Sequence, residues 1–390
     1  MVFLSIIISK NQFAAYACSN EPLAPHYRYP HYRSGGVADD WCKANTVSRR
    51  PARCCCARSS LYHFNIFFLP QAKIPYINRA YLAVDFFFLL SGFVMASVYG
   101  RLLADTWRAH WRRFAIARFA RIYPLFILTT LIIVTLVMLS GMPMGQVSFS
   151  KNSLALQPAL LQQWASGLNW NYPSWSISTE AEAYAFFVFS AGTLVEGPRP
   201  SLISMSCIAS LAALSVINGG SLDLFHGLPA LIRTIAEFSL GVLLYRAHLV
   251  HPQFLNGRAL SLAVIAAVLA TLTRIDFIFV IAFACAISHI IRNSDMIGRL
   301  LNSRIPTALG NWSYSIYLWH VPVHYTITTA IISSGCSLGD LGKWKARLLI
   351  CLTVFGVIGL SAASYRYFEV PMRHLILRAT AHLSKGRAAG

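Results

Sequence analysis

Apolar residues along the chain are gathered in runs of the length that a membrane-crossing helix needs. Such a helix takes about 20 largely apolar residues to cross the hydrocarbon core of a bilayer. The runs are Tyr81–Tyr99, Tyr123–Gly141, Trp175–Val195, Ser201–Ile217, Ala230–Tyr245, Ala259–Thr273, Phe277–Ile291, Tyr314–Ser334 and Leu348–Tyr365, and Leu61–Leu69 resembles the end of one more. The pattern predicts an all-α, polytopic membrane protein with about ten transmembrane helices.

Composition narrows the class further. Of the 390 residues, 56% are hydrophobic and 12% charged, and the mean hydropathy is +0.53. The high hydrophobicity excludes a disordered chain. Soluble proteins carry about 25% charged residues, so the low charge content argues against a cytosolic enzyme. The net charge of +19 comes from scarce acids and from Arg placed in loops. We therefore expect the lipid bilayer, and no nucleic acid, as the partner of these charges.

The distribution of Lys and Arg among the loops predicts the orientation, because cytoplasmic loops are enriched in them. After residue 60, the segments 101–122, 246–258, 292–313 and the tail from 366 hold 16 of the 25 Lys and Arg residues, whereas the longest loop on the other side, 142–174, contains only Lys151 as a charged residue. Both termini are predicted to be cytoplasmic, and the expected location is a bacterial inner (plasma) membrane. Trp164, Trp170 and Trp175 near the end of the 142–174 loop are either interfacial anchors or part of a substrate entrance.

The first 58 residues do not share this pattern. They have no apolar periodicity and contain five of the nine Cys residues: Cys18, Cys42, Cys54, Cys55 and Cys56. Three consecutive Cys suit neither a zinc site nor a disulfide framework. Read one base later, the codons of these three Cys encode only Val or Ala, and the flanking codons permit Leu-Arg-Gly before and Leu after. The hypothesis is that residues 1–58 are an aberrant, frameshifted segment that replaces the start of the first span.

Ionisable residues inside membrane spans are costly and usually face a cavity or a partner. The candidates are His63, Asp85, Glu180, Glu182, Glu237, His289, His320 and His324. Asp85 either pairs with an Arg that sets helix packing or acts in catalysis. Glu180 and Tyr184 share one helical face, and the polar start of their helix favours a role in a site. Glu237 and His289 are expected to be satisfied core polar groups.

Three further features contain residues that could act in catalysis or bind a ligand. A neutral imidazole at His63 can remove a hydroxyl proton near neutral pH, although a lone His is often structural. His320 and His324 share a face beside Pro322, which frees a backbone carbonyl, but no third ligand suggests itself and no metal site is predicted. Arg118 and Arg121 lie on one face before Pro124, where the helix is expected to break. They either anchor the chain on lipid headgroups or hold the phosphates of a cytosolic donor.

Several motifs stand in the same order as in the membrane-bound acyltransferase family 3, which includes O-acetylases of surface polysaccharides. The segments that resemble the family are Asp85-Phe-Phe-Phe-Leu-Leu-Ser-Gly-Phe93, Arg118-Phe-Ala-Arg-Ile-Tyr-Pro124, Trp175-Ser-Ile-Ser-Thr-Glu180 with Tyr184, Trp312-Ser-Tyr-Ser-Ile-Tyr-Leu-Trp-His320, and Phe368-Glu-Val-Pro371. The resemblance covers about residues 61 to 375. It implies an acyltransferase domain at 59–375, followed by a basic cytoplasmic tail at 376–390.

The resemblance also implies a function: transfer of an acyl group, expected to be acetyl, from acyl-CoA to a hydroxyl of a carbohydrate or glycolipid. Acyl-CoA is then the donor substrate, and no resident cofactor is expected. The roles implied are catalysis by His63 and Glu180, and binding of substrate or acyl donor by Asp85, Ser91, Arg118, Arg121, Trp175, Tyr184 and His320.

The chain departs from the family pattern at one important place. The family's catalytic signature is an Arg, ten residues and a His; His63 fits the His, but Ala52 stands at the Arg position and Arg53 is one residue away. The shifted reading frame permits an Arg at the family spacing. A smaller departure is Glu180-Ala181-Glu182, where the family usually has two adjacent polar residues. Two alternatives therefore stay open: an inactive acyltransferase relic, and a transporter or flippase for a lipid-linked glycan, whose broken helices and intramembrane acids look similar.

Overall fold

In the computed structural model, the described residues are 79–141, 151–165, 169–251, 253–255, 257–292, 303–335 and 343–388, and they form helices and turns without any strand. The α-helices are α1 (Ala83–Met95), α2 (Arg101–Ser140), α3 (Lys151–Leu156), α4 (Trp175–Val195), α5 (Pro200–Ile217), α6 (Gly227–Val250), α7 (Ala259–Thr273), α8 (Phe277–Arg292), α9 (Arg304–Asn311), α10 (Ser313–Ser333), α11 (Lys343–Ser364) and α12 (Val370–Ala388). Two π-helical turns, Ala96–Gly100 and Tyr365–Glu369, continue α1 into α2 and α11 into α12. The predicted all-α class is confirmed for this part of the chain.

Helix α1 forms the centre of the molecule. All thirteen of its residues are buried, as expected for a helix that is apolar on every side. It packs mainly against α6 and also against α8, and its Ser91 side chain reaches Glu180 on α4. Gly92 and Gly241 make the α1–α6 approach close, because a Cβ at either glycine would overlap the backbone carbonyl of the opposite helix, Phe238 O or Leu89 O. Small residues of this kind let helix backbones meet in membranes.

Large apolar side chains cover the outer surface of the described helices. Examples are Phe189, Met205, Leu272 and Phe355, each more than two thirds exposed. Within the described residues, four segments are long and apolar enough to cross a membrane: Ala83–Ser140, Pro200–Ile217, Gly227–Val250 and Trp344–Thr380; α7 and α8 are shorter apolar helices. An integral membrane protein follows, whereas the number of about ten crossings stays a prediction.

The structure corrects the prediction for residues 101–124. We expected a cytoplasmic loop over 101–122 and a break at Pro124, but α2 runs from Arg101 to Ser140 and passes through Pro124. The non-helical backbone lies instead at Thr106 (φ −148°, ψ 69°). Apart from this kink, the Arg-rich first half of the segment is helical. The loss of one backbone N–H at Pro124 does not end the helix.

Candidate active site

Helices α1 and α4 bring three of the predicted site residues into direct contact. The Ser91 hydroxyl donates to Glu180 Oε1 at 3.0 Å, and the Tyr184 hydroxyl donates to the same oxygen at 2.6 Å. The Ser91 and Tyr184 oxygens are 3.3 Å apart. Because all three side chains are buried and Glu180 and Tyr184 are one helical turn apart, one carboxylate oxygen is held by two hydroxyl groups. We call Ser91, Glu180 and Tyr184 the carboxylate cluster.

Arg118 lies beside this cluster. Its guanidinium carbon is 5.4 Å from the centre of the Tyr99 ring; the Tyr99 ring packs against Phe114, and Phe114 packs against Tyr184 of the cluster. The Arg118 side chain belongs to a residue only 4% exposed, yet Nε and Nη1 have no hydrogen-bond partner among the described residues. A buried cation without hydrogen-bond partners is costly, so this position is suited to an anionic ligand.

Arg121 lies on the same face of α2 as Arg118, but its guanidinium group forms an ion pair. Its Nη1 is 2.8 Å from Glu369 Oε2, and the Ser315 hydroxyl donates to the other oxygen of Glu369. Its guanidinium carbon lies 5.0 Å from the centre of the Tyr314 ring, whose hydroxyl donates to Ile122 O at 2.5 Å. Arg121 therefore joins α2 to α10 and to the turn before α12 through a buried ion pair.

Arg373 is a buried cation that the sequence analysis did not select. It is 8% exposed and lies one helical turn after Glu369, on a helix that packs against α2. We had assigned it to the positive loop and tail residues. The signal in the sequence that could have identified Arg373 is its spacing: it follows Glu369 by four residues, so the two side chains share one helical face.

Asp85 forms the ion pair that was one of its two predicted roles. Arg233 Nε donates to Asp85 Oδ1 at 2.9 Å and Nη2 to Oδ2 at 2.5 Å, and Glu237 Oε1 lies 3.6 Å from Arg233 Nε. All three side chains are almost completely buried. The Arg233 guanidinium carbon also lies 5.6 Å from the centre of the half-buried Trp175 ring. Arg233 is therefore a core residue.

His320 lies in a separate polar region. Its Nδ1 is 2.6 Å from Tyr317 O, and its ring is 6.2 Å from that of Tyr172. His324, on the next turn, contacts Thr328 Oγ1 at 3.3 Å. The described residues contain no group of three or more side chains that could hold a metal ion. The Tyr317 hydroxyl lies 2.7 Å from Ser176 Oγ, so this region adjoins the start of α4.

Pro322 creates a backbone acceptor near His320, as its sequence position indicates. It lacks the N–H that would bond to Leu318 O, and Asn171 Nδ2 donates to that carbonyl at 3.3 Å. Asn171 also donates to Thr129 Oγ1 at 3.3 Å. The helix continues through Pro322, because a side chain from another segment satisfies the freed carbonyl.

The predicted site residues thus fall into separate groups. Ser91, Glu180 and Tyr184 are in direct contact, and Arg118 lies against Tyr99. Arg121 is paired with Glu369. Arg233 contacts both Asp85 and Trp175. His63 and the segment 1–58 lie outside the described residues. Arg233, Glu369 and Arg373 are the functional candidates that sequence reasoning missed.

The described helices have apolar outer faces, and they enclose a buried carboxylate cluster and an arginine, Arg118, with hydrogen-bond donors that have no partner. This arrangement is that of a membrane protein with a polar site in its interior. The family model described as an acyltransferase domain, that of the acyltransferase 3 family, matches residues 58–366. The chain belongs to this family, which confirms the resemblance carried by the sequence motifs. The enzyme class predicted from them, an acyltransferase for groups other than amino-acyl groups, is the class of this family.

Two named relatives extend the comparison. O-acetyltransferase OatA of Staphylococcus aureus is 21% identical over 374 residues, which cover 84% of this chain and 57% of that protein. Acyltransferase MdmB of Streptomyces mycarofaciens is 28% identical over 272 residues, 62% of this chain and 67% of that protein. The chain therefore spans just over half the length of OatA. No solved structure matches.

Proposed function

We propose that this chain is a membrane-embedded O-acyltransferase that moves an acyl group, acetyl in the first instance, from acyl-CoA to a hydroxyl of a carbohydrate or lipid-linked glycan. The observation that carries the proposal is the buried, unpartnered Arg118 beside the carboxylate cluster. Family membership supports an acyl transfer, and the names of OatA and MdmB support it further.

The donor end of the site is proposed at Arg118 and Arg121. Guanidinium groups bind phosphate oxygens through strong, charge-assisted hydrogen bonds, and CoA carries three phosphate groups. Arg118 has donors available for such a ligand, whereas Arg121 contributes positive charge while it stays paired with Glu369. The two arginines then bind the nucleotide end of the donor, with its thioester extending toward the carboxylate cluster.

Glu180 is proposed to act next to the reacting groups. In the described residues its carboxylate accepts hydrogen bonds from Ser91 and Tyr184, which fix its position. A carboxylate held in this way can orient an acceptor hydroxyl or a catalytic imidazole and can stabilise positive charge on that imidazole. Asp85 is instead proposed to shape the polar pocket, because its oxygens are occupied by Arg233.

The proposed chemistry is a direct acyl transfer. The acceptor oxygen attacks the thioester carbonyl carbon and gives its proton to His63. The carbon–sulfur bond then breaks, and the leaving thiolate takes up the proton, so that the products are an ester and the free thiol of CoA. This role of His63 rests on the family resemblance and on the ability of imidazole to act as a base near neutral pH.

Transfer of label from acetyl-CoA by membranes that contain the protein tests the proposal. The chain with its reading frame corrected before His63 should label a carbohydrate or glycolipid fraction, and His63→Ala, Glu180→Gln and Arg118→Gln in that chain should each lose most of the transfer while the protein still inserts. Arg112→Gln is the matched control, because Arg112 is exposed on the same helix. Retained transfer in His63→Ala would contradict the catalytic assignment, and a wild type that moves a glycan without acylating it would favour the transporter.

The orientation belongs to the same proposal, since the donor end must face the cytosol. The cytoplasmic side is proposed for the start of α2 and for α12, on the basis of their Arg content. Fluorescent-protein fusions after Gly197 or Gly390 should fluoresce, and alkaline phosphatase fused after Gly141 should be active. The reverse pattern would exclude a cytosolic donor at Arg118.

A further inference from the structure

A short turn before α4 presents Trp164 at the surface in a fixed orientation. The 3-10 turn Gln162–Trp164 packs against α4, and Trp164 is 46% exposed. Its indole N–H donates a hydrogen bond to Glu182 Oε1 on α4 at 2.7 Å. One edge of the indole ring is therefore held by a carboxylate, while nearly half of the residue stays accessible.

The chain around this turn is also tied to the start of α4. The side-chain amide of Gln162 donates to Ser174 O at 2.8 Å, and the Ser178 hydroxyl donates to Leu160 O at 2.5 Å. Gln162 and Ser174 are completely buried. Because these contacts already fix the turn, Trp164 has little conformational freedom left to lose when a ligand binds to it.

Glu182 and Gln163 place oxygen acceptors next to the indole ring. Gln163 Nε2 donates to both carboxylate oxygens of Glu182, at 3.3 and 3.2 Å, and Glu182 is only partly buried. Gln163 is 0% exposed, yet its Oε1 has no hydrogen-bond partner among the described residues. Since Nε2 and Oε1 belong to one amide group, this oxygen lies close to the Glu182 carboxylate. A buried acceptor without a donor is costly, and a donor group on a ligand would remove that cost.

The chemistry of these groups selects a ligand with hydroxyl donors and an apolar face. Carboxylate and amide oxygens only accept hydrogen bonds, and aromatic rings with a few polar groups are the usual lining of small-molecule sites. A sugar ring supplies both features, whereas Glu182 would repel a phosphate or another anion. A Trp that serves as an interfacial anchor turns its polar edge toward water and headgroups, but the indole N–H of Trp164 is bound within the protein.

We infer that Trp164 and Glu182 form a binding subsite for a sugar unit of the acceptor. The inference rests on the proposed function, since it assigns residues to the acceptor end of that site. Glu182 stands two residues after Glu180, so the two carboxylates leave α4 about 200° apart. The sugar held at Trp164 is therefore a neighbour of the unit that is acylated, and the acceptor contains more than one sugar. Trp164 belongs to the 142–174 loop, which the charge distribution assigns to the non-cytoplasmic side.

The test measures the KM for each substrate separately, in the full chain with its reading frame corrected before His63. Acetyl transfer is followed at increasing concentrations of the carbohydrate fraction isolated from the membranes, and then of acetyl-CoA. Trp164→Ala should raise the KM for the carbohydrate by at least about five-fold, the loss that truncation of an aromatic contact residue commonly causes. Its kcat and its KM for acetyl-CoA should stay close to the unsubstituted chain. Trp344→Ala is the control, because Trp344 is 66% exposed on α11, and it should change neither KM.

The outcomes separate the inference from the proposed function. An unsubstituted chain that acylates no carbohydrate would contradict the proposed function itself. An active chain in which Trp164→Ala leaves the KM for the carbohydrate unchanged, or raises both KM values equally, would overturn the subsite alone. Equal losses in Trp164→Ala and Trp344→Ala would overturn it as well, and would make both residues interfacial anchors. If Trp164→Ala does not yield folded protein, Glu182→Gln replaces it: the amide oxygen still accepts from the indole N–H, and the rise in KM should be smaller and again confined to the carbohydrate.

Discussion

Two buried ion pairs of this protein join helices that are far apart in the sequence. Asp85 and Arg233 are 148 residues apart, and Arg121 and Glu369 are 248 residues apart. Each pair is almost completely removed from solvent. Removal of one member of a buried pair leaves an uncompensated charge, which costs far more than the pair itself contributes. The two pairs therefore fix which helices meet and in which register.

Arg233→Gln should destabilise the folded protein by about 3–5 kcal/mol, the usual cost of breaking a buried ion pair. It leaves Asp85 and Glu237 side by side without a cation. Thermal unfolding in detergent measures the effect, with Arg199→Gln as the control because Arg199 is exposed. Addition of Asp85→Asn to the Arg233→Gln variant should recover part of the stability; no recovery would mean that the charge of Asp85 is not the cause.

Tyr184→Phe should lower acyl transfer and reduce stability by about 1–3 kcal/mol, since a buried carboxylate loses a short hydrogen bond. The matched control is Tyr123→Phe, whose hydroxyl bonds to Pro158 O at an exposed position. Transfer rate and melting temperature should be measured for both variants. Equal effects of the two substitutions would argue that Glu180 does not depend on Tyr184.

At this scale, sequence reasoning found the polar residues but not all of their partners. The spacing of Glu180 and Tyr184 predicted their contact, because residues four apart share a helical face. Pairing with an Arg was one of the two roles left open for Asp85, but nothing local indicates which Arg. Arg233 stands near the start of its apolar run, and only the packing of α6 against α1 brings it to Asp85.

Helix α1 depends on close backbone contact with α6 as much as on its apolar side chains. The Leu89 and Phe238 carbonyls lie where side chains would stand at Gly241 and Gly92. Van der Waals contact of this kind, rather than the hydrophobic effect, drives helix association in lipid. The Ser91 side chain next to Gly92 then reaches Glu180 on α4, so the helix contact also positions the carboxylate cluster.

Gly92→Ala should destabilise the protein by about 3 kcal/mol or more, because the added methyl group must push two helix backbones apart. Acyl transfer should fall with it, since Ser91 moves together with α1. Gly356→Ala is the control: no atom lies within 4 Å of a Cβ at that position in α11, and Ala has the higher helix propensity. Unfolding temperatures that are the same for both variants would contradict the observed α1–α6 contact.

The helices themselves were largely predictable from sequence, whereas their ends were not. Each apolar run from Tyr81 onward contains a helix, because a segment in lipid must satisfy its own backbone hydrogen bonds. The basic stretch before Pro124 was assigned to a loop on its charge, yet it is helical and leads directly into the next span. Charge shows which side of the membrane a segment faces; it does not show whether that segment is helical.

The net charge of the whole molecule separates into parts with different origins. In the described helices, Arg118, Arg121, Arg233 and Arg373 are buried and act within the protein. Others, such as Arg112, Arg199 and Arg378, are exposed and fit the loop and helix-end positions that set membrane orientation. Residues 1–58 carry a further share of the charge, and the family match begins at residue 58, where the apolar spans also begin.

We expect the coding sequence for residues 1–58 to contain a frameshift. Resequencing of the gene should reveal a base insertion or deletion upstream of the codon for His63, and correction of the frame should turn the Cys54–Cys56 codons into Val or Ala codons. The corrected chain should contain an Arg eleven residues before His63 and an apolar start for the first span. Expressed side by side, the corrected protein should insert and transfer acetyl groups, and the uncorrected chain should be far less active, since it lacks both features. An unchanged sequence together with full activity would show that residues 1–58 are native and that Ala52 is compatible with catalysis.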